Sequence, residues 1–296
     1  MNMQPLDAAV IDIGSNSIRL MHAAVTPQGA TVFGRKHLIT TRLAEGLDEH
    51  KRLSEAAIVR TLDAISAFIS ISREKKTQYL FSYATSAVRD AENGAAFCVR
   101  VRDVCNMEVD VLSGMQEANF AYRGAVGSAG GGLIDIGGGS AQVMTSAQAL
   151  SFPIGCVRAK DRFGILPLQQ AYAQMTQWLD IWCKPLYCIR ESRWTGVGGS
   201  ITTLAALQAG LCAYDSAIVS SQVLTPAGLS ALIQNLDGMG EARRTHPLLI
   251  NRHDVILFGA GVLLELMRRL HIREMAVSDS DGMEGYFMEK AAQILQ

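Results

Sequence analysis

The chain carries no C-x-x-C pair, and its six cysteines (Cys98, Cys105, Cys156, Cys183, Cys188, Cys212) have no histidine at zinc-finger spacing. Neither a structural zinc site nor a dithiol redox centre is expected. The thiols should be reduced and mostly buried, as free cysteines commonly are. There is no Lys/Arg tract and the formal net charge is −1, which excludes general nucleic-acid binding, because that needs a basic face. The longest apolar run, residues 255–264, stops at Glu265 and falls short of the roughly 18 residues of a membrane span. The opening MNMQPLDAAVIDIG has no basic n-region, and Asp7 and Asp12 interrupt any apolar signal core. A cytoplasmic protein is therefore expected. No G-K-[ST] Walker loop occurs, and GVGGSI lacks the full dinucleotide fingerprint. No low-complexity linker divides the chain, so a domain boundary should be a hinge between packed elements.

What is present is a repeat. VIDIGSNSIRL, from Val10, returns as LIDIGGGSAQV, from Leu133, at a constant offset of 123 residues. Asp12 falls on Asp135, Gly14 on Gly137, Ser17 on Ser140, and Arg19 on Gln142. Glycines between apolar runs turn a β-hairpin. They also let bare amide N–H groups approach a ligand, and concave sets of N–H groups bind anions, phosphate above all. Both readings fit the residues. With 296 residues and 49% apolar content, two domains with sizeable cores are expected.

Strands are expected in each half at the hairpin arms, at TVFGRKHL, QYLFSYAT and EVDVLS, and at LSFPIG, RWTGV and REMAVSD. Ile58, Leu62, Ile65 and Ile69 share one helical face behind the N-cap Ser54. Ser113 with Gln116 predicts a capping box for a helix ending near residue 125. Thr225 followed by Pro226 predicts another helix start. GGS, residues 198–200, opens a helix whose N-terminus favours an anion, and RHDVILFGAGVLLELMRRL reads as a buried helix. Strands lead and helices follow in both halves, which makes the fold α/β. The expected division is 1–126 and 127–296, with the terminal helix free to pack back on the first domain.

DIGSNSIRL, TRLAEGL, ATSAVRDAENG, SGMQEA, DIGGGSAQ, FPIGCVR, GVGGSITTLAAL, RHDVILFGAGVLLE and VSDSDGMEG stand in that order, and together they resemble the exopolyphosphatase and guanosine pentaphosphate phosphohydrolase (Ppx/GppA) family in a short, two-domain form. The resemblance implies two ribonuclease-H-like domains of the actin-like ATPase superfamily facing a central cleft. It implies phosphate contacts at Gly14, Ser15, Asn16 and Ser17, at Gly137, Gly138, Gly139 and Ser140, and at Arg89. Gly198, Gly199 and Ser200 join them as the helix N-terminus just described. Glu117 matches the catalytic glutamate, a general base for the attacking water. Asp135 matches a ligand of Mg²⁺, a hard cation that commonly takes one or two carboxylates with substrate oxygens and water. Asp12 either supports the same ion or fixes its own turn. At Gln142 the family commonly has a second carboxylate. An amide carbonyl there still ligates Mg²⁺ but brings no charge, so a weaker metal site is expected.

The implied activity is cleavage of a terminal phosphoanhydride of inorganic polyphosphate, or of the 5′ phosphate of pppGpp. A catalytically weak sensor of the same ligands and a small-molecule kinase of the same superfamily are the competing readings. Arg42, Arg158, Lys160 and Arg162 either form a basic path for a long polyphosphate or are solvated surface charges. No nucleic-acid or membrane partner is expected, and a homodimer is a common state for such chains.

Overall fold

A computed structural model describes residues 6–26 and 30–295; residues 1–5, where the leader reading begins, lie outside it. The first half runs β1 (Leu6–Ile13), β2 (Ser17–Val25), β3 (Thr31–Thr40), α1 (Leu47–His50), α2 (Glu55–Glu74), β4 (Tyr79–Ala84), α3 (Ser86–Asp90), α4 (Gly94–Cys105), β5 (Asp110–Val111) and α5 (Gly114–Ala125). The second runs β6 (Gly132–Ile136), β7 (Ala141–Met144), β8 (Ala149–Phe152), α6 (Cys156–Phe163), α7 (Leu168–Trp182), β9 (Trp194–Val197), α8 (Gly199–Gln208), α9 (Ser216–Ser220), β10 (Val223–Leu224), α10 (Pro226–Gly238), α11 (Ile256–Arg269), β11 (Met275–Val277) and α12 (Gly282–Leu295).

The two sheets share one plan. The first is ordered β3-β2-β1-β4-β5 and the second β10-β11-β9-β6-β7-β8. In each, two antiparallel pairings build a meander and the opening strand then pairs in parallel with the next, β1 with β4 and β6 with β9. The repeat extends to register. Asp12 faces Arg19 across the first hairpin, and Asp135 faces Gln142 across the second. Each turn closes with the same bond, Gly14 N to Ser17 O at 3.1 Å and Gly137 N to Ser140 O at 2.9 Å.

Both opening strands are covered on both faces, which is why they read as near-continuous apolar runs. Ala9, Ile11 and Ile13 pack under α2 and α4, while Leu6, Ala8 and Val10 meet Met283, Tyr286 and Phe287 of α12. In the second sheet Ile134 and Ile136 join the main core with α7, α8, α10 and α11. Leu133 and Val197 instead meet Ala121 of α5. The chain thus exchanges helices: α5 precedes the second sheet yet covers it, and α12 ends the chain on the first. All strands of the first sheet end by Val111 and those of the second begin at Gly132, but the helices covering the sheets do not divide in the same way. Where α5 and α12 cross, a Cβ on Gly124 would lie 1.9 Å from the Asp281 carbonyl oxygen, and one on Gly285 2.0 Å from that of Phe120. Only glycine permits this approach, and it draws the helices together beneath the cleft.

The helix starts follow local chemistry. Ser54 Oγ accepts from Ala57 N at 3.2 Å, and Thr225 Oγ1 from Gly228 N at 3.1 Å. Ser113 and Gln116 form the reciprocal capping box. Three expectations are corrected. EVDVLS contributes only Asp110–Val111 to the sheet. Arg252, His253 and Asp254 precede α11 as turns. Cys105, Cys156 and Cys183 are buried, but Cys188 and Cys212 are exposed and Cys98 is half-buried, because the last three lie on helix flanks and loops rather than on core faces. No described helix is long and apolar enough to cross a membrane.

Candidate active site

The C-terminal ends of β1, β6 and β9, with the turns that follow them, open into a cavity of about 1270 Å³ between the two sheets. Parallel strands end together there, the usual place for a ligand in such a fold. The carbonyl oxygens of both hairpin turns are claimed from behind. Ser15 O accepts from Ala44 N at 2.9 Å and Asn16 O from Arg42 N at 2.9 Å. Gly137 O accepts from Cys156 N at 3.0 Å and Gly138 O from Val157 N at 2.8 Å. Among the described residues the N–H groups of Ser15, Asn16, Gly138 and Gly139 donate to no main-chain acceptor. Carbonyls turned back and N–H groups left over make an anion nest.

Gly14, Ser15, Asn16, Ser17, Gly137, Gly138 and Ser140 all line the cavity. Gly139 does not. It is pressed into the junction between the hairpins, where a Cβ would lie 2.6 Å from Ser86 Oγ and 3.0 Å from Ser15 Oγ. Gly198, Gly199 and Ser200 line the cavity beside the second hairpin, at the end of β9 and the start of α8. Gly198 has φ +93, and a Cβ there would be 2.5 Å from Asp135 Oδ1. Glycine is therefore required both for the backbone and for the carboxylate beside it.

The site is rich in buried charge. Arg19 donates to Asp12 Oδ2 through Nε at 2.9 Å and Nη2 at 2.5 Å, and also to Asp281. Lys36 reaches Asp281 at 3.2 Å and Glu284 at 3.0 Å. Burial raises the pKa of Asp12 despite Arg19, and burial together with Asp281 pushes Asp135 up to about 7. Arg19 and Lys36 outweigh the burial of Asp281 and hold it well below the usual carboxylate range. Asp12 Oδ1 is buried with no hydrogen-bond partner in the described structure. That orphaned oxygen, with Asp135 on the matching strand, suits a hard cation. No three His, Cys, Asp or Glu side chains among the described residues converge enough to enclose one, so such an ion would complete its shell with water and ligand oxygens. Gln142 lies beside them, with Nε2 turned toward Ser140 Oγ at 2.9 Å and Ser151 Oγ at 3.3 Å.

Glu117, one turn into α5, also lines the cavity. Burial pushes its carboxyl up to about 7 against the opposing pull of Arg89. Arg89 itself is not in the cavity wall. Its Nη1 donates to Glu117 Oε2 and, at 2.8 Å, to Leu112 O, so the guanidinium stands behind the acid. The four expected cations of a polyphosphate path are likewise engaged. Arg42 pairs with Asp254 at 2.9 Å, Arg158 with Asp90 at 2.8 Å, Lys160 with Asp161 at 3.5 Å and Arg162 with Asp48 at 3.8 Å. None of the four lines the cavity; Arg42, Arg158 and Arg162 bridge the halves.

One cation that sequence reasoning missed is Arg252. It lines the cavity, donates to Gly199 O, and has no carboxylate in salt-bridge reach among the described residues. Burial lowers its pKa below the ordinary arginine value. Its place before the apolar run of α11 was the available signal. Arg19, Lys36, Asp281 and Glu284 were also missed, being far apart in the chain.

The sequence profile of the Ppx/GppA phosphatase family matches residues 23–293. The chain belongs to the Ppx/GppA phosphatase family. It is 30% identical to Exopolyphosphatase 2 of Mycobacterium tuberculosis, over 96% of this chain and 98% of that protein. It is 28% identical to the guanosine-5′-triphosphate,3′-diphosphate pyrophosphatase of Vibrio cholerae, over 99% of this chain but 60% of the longer protein. The crystal structure of the Aquifex aeolicus member of the Ppx/GppA family superposes with a TM-score of 0.78 at 26% identity, covering 98% of this chain and 99% of that one. The fold is the paired ribonuclease-H-like architecture around a cleft.

Proposed function

We propose that the cleft hydrolyses the terminal phosphoanhydride bond of inorganic polyphosphate or of the 5′ end of guanosine pentaphosphate, with Glu117 as general base. The observation that carries this is Glu117 itself, a carboxyl held near neutral pKa in the wall of a cavity that also presents two N–H nests. A base poised near the working pH combines the right protonation state with a useful driving force for proton transfer. The relatives named exopolyphosphatase and guanosine-5′-triphosphate,3′-diphosphate pyrophosphatase support the two substrate classes.

The terminal phosphoryl group sits between the hairpins, its oxygens on the N–H groups of Ser15, Asn16 and Gly138 and the hydroxyls of Ser15, Ser17 and Ser140. Arg252 and the N-terminus of α8 take the negative charge that develops toward the leaving phosphate. Arg89 holds the Glu117 carboxylate in one orientation, and Glu117 takes the proton of the attacking water. Asp12 and Asp135 would hold Mg²⁺, whose chemistry is to neutralise phosphoryl oxygens. With phosphoryl transfer dependent mainly on positioning and electrostatics, these groups supply what the reaction needs.

Phosphate release from medium-chain polyphosphate, pppGpp and ATP across a Mg²⁺ titration tests the reading. Turnover of polyphosphate or pppGpp well above ATP is expected. A protein that binds these ligands but releases no phosphate at any Mg²⁺ concentration is instead the sensor, a reading favoured by the uncharged amide at Gln142.

A further inference from the structure

We propose that Gln142 is a positioning residue that fixes the Ser140 hydroxyl as a hydrogen-bond donor to the bound phosphoryl group and ties it to the helix that carries Glu117. This rests on the reading of Ser140 as a phosphate ligand. Gln142 is 2% exposed and Ser140 3%, so neither partner exchanges freely with solvent. In register, Gln142 stands opposite Asp135 on one side and Ser151 on the other. Its Nε2 reaches both Ser140 Oγ and Ser151 Oγ, at 2.9 and 3.3 Å.

An amide nitrogen has two protons and no acceptor capacity, while a hydroxyl has one proton and two lone pairs. Ser140 must therefore accept from Gln142, and its single proton is left for another group. Among the described residues no other side chain takes it, and Ser140 lines the cavity. A carboxylate at position 142 reverses this polarity. It accepts only, so the Ser140 proton would be drawn to it and away from the phosphate. It would also add a buried negative charge where an anion must enter.

The second anchor extends the effect. A Cβ on Gly114 would lie 2.3 Å from Ser151 Oγ, so the first residue of α5 rests directly on Ser151. Glu117 follows one turn later. One amide thereby joins a hydroxyl of the phosphate cradle to the seat of the helix that bears the base.

The test is the binding of inorganic phosphate without metal, followed by ³¹P NMR, in a double-mutant cycle of Ser140→Ala and Gln142→Met, with Gln142→Glu alongside. Met keeps the volume and removes the donor. Each single change should weaken phosphate binding about tenfold, the scale of losing one hydrogen bond to a charged group. The double variant should be no weaker than either single one, and Gln142→Glu should be at least as weak as Gln142→Met. Wild-type binding by both Gln142 variants, or additive losses in the cycle, overturns the proposal and leaves the hydrolase reading standing. Unchanged binding by Ser140→Ala overturns both the proposal and the cradle beneath it. Should Gln142→Met not fold, Ser151→Ala carries the test. About threefold weaker binding is then expected, and wild-type binding contradicts the proposal.

Discussion

Arg89 donates to the carboxylate of Glu117 from behind the cleft wall, so that Glu117 lines the cavity and Arg89 does not. The guanidinium favours the ionised form of its partner, yet burial outweighs it and Glu117 still titrates near 7. The pair is a held base rather than a neutralised one.

That balance sets a pH profile. Glu117 must be ionised to take a proton, so kcat/KM should fall about tenfold per pH unit below about 7. Arg89→Met removes the one group that lowers the pKa, and the acid limb should move to higher pH. A limb that stays in place in the variant, or one centred near 4 in the wild type, contradicts the assignment.

Asp135 carries a stability penalty of known sign. Its pKa is raised to about 7, so the folded form holds a proton that the unfolded form has already lost above about 4. Stability therefore falls as pH rises through this window, and the full penalty stands above 7. Asp135→Asn should stabilise the ligand-free protein at pH 8 by something on the order of 3 kcal/mol and change it little at pH 4.5. Denaturant titrations at the two pH values check this; equal effects at both would remove the basis for the raised pKa.

Arg252 and Arg162 should behave oppositely. Arg252 faces the cavity without a carboxylate partner, whereas Arg162 is half-exposed and points toward Asp48. Arg252→Met should raise KM for polyphosphate of every chain length by about tenfold or more. Arg162→Ala should leave KM unchanged even for long chains. A chain-length-dependent loss in Arg162→Ala would restore the exterior basic path.

Gly198→Ala should cost several kcal/mol of stability, because the residue combines a φ of +93 with a Cβ position 2.5 Å from Asp135 Oδ1. Thermal melts beside Gly210→Ala separate the two causes, since Gly210 also has positive φ but open space around it. Similar losses at both positions would mean that the close approach to Asp135 Oδ1 and to the Ile136 carbonyl oxygen, 2.7 Å from the same Cβ position, contributes nothing.

Much of this site is legible in the sequence because it is local. The repeat at offset 123 carries the turns, the register pairs and both aspartates, and a hairpin brings its own residues together. Ser113 and Gln116 likewise announce the start of the Glu117 helix three residues apart. The rest depends on encounters that spacing does not encode. An amphipathic pattern shows that α5 and α12 each have a face to bury, not which sheet receives it, and the two exchange partners. Arg19 and Asp281 meet across 262 residues. Arg42, Arg158, Lys160 and Arg162 look like a basic path until the carboxylates facing them are seen. Arg252 stands at the head of a run that reads as buried helix, and spacing does not show that its guanidinium meets the Gly199 carbonyl 53 residues away.

The most direct measurement is single-turnover phosphate release from medium-chain polyphosphate or pppGpp by wild type and Glu117→Gln, at saturating substrate and Mg²⁺. The amide keeps the size of the side chain and removes its basicity. If Glu117 is the base, the variant should bind substrate about as tightly and turn over roughly 10²–10⁴ times more slowly. A Glu117→Gln protein that releases phosphate at the wild-type rate would contradict the account.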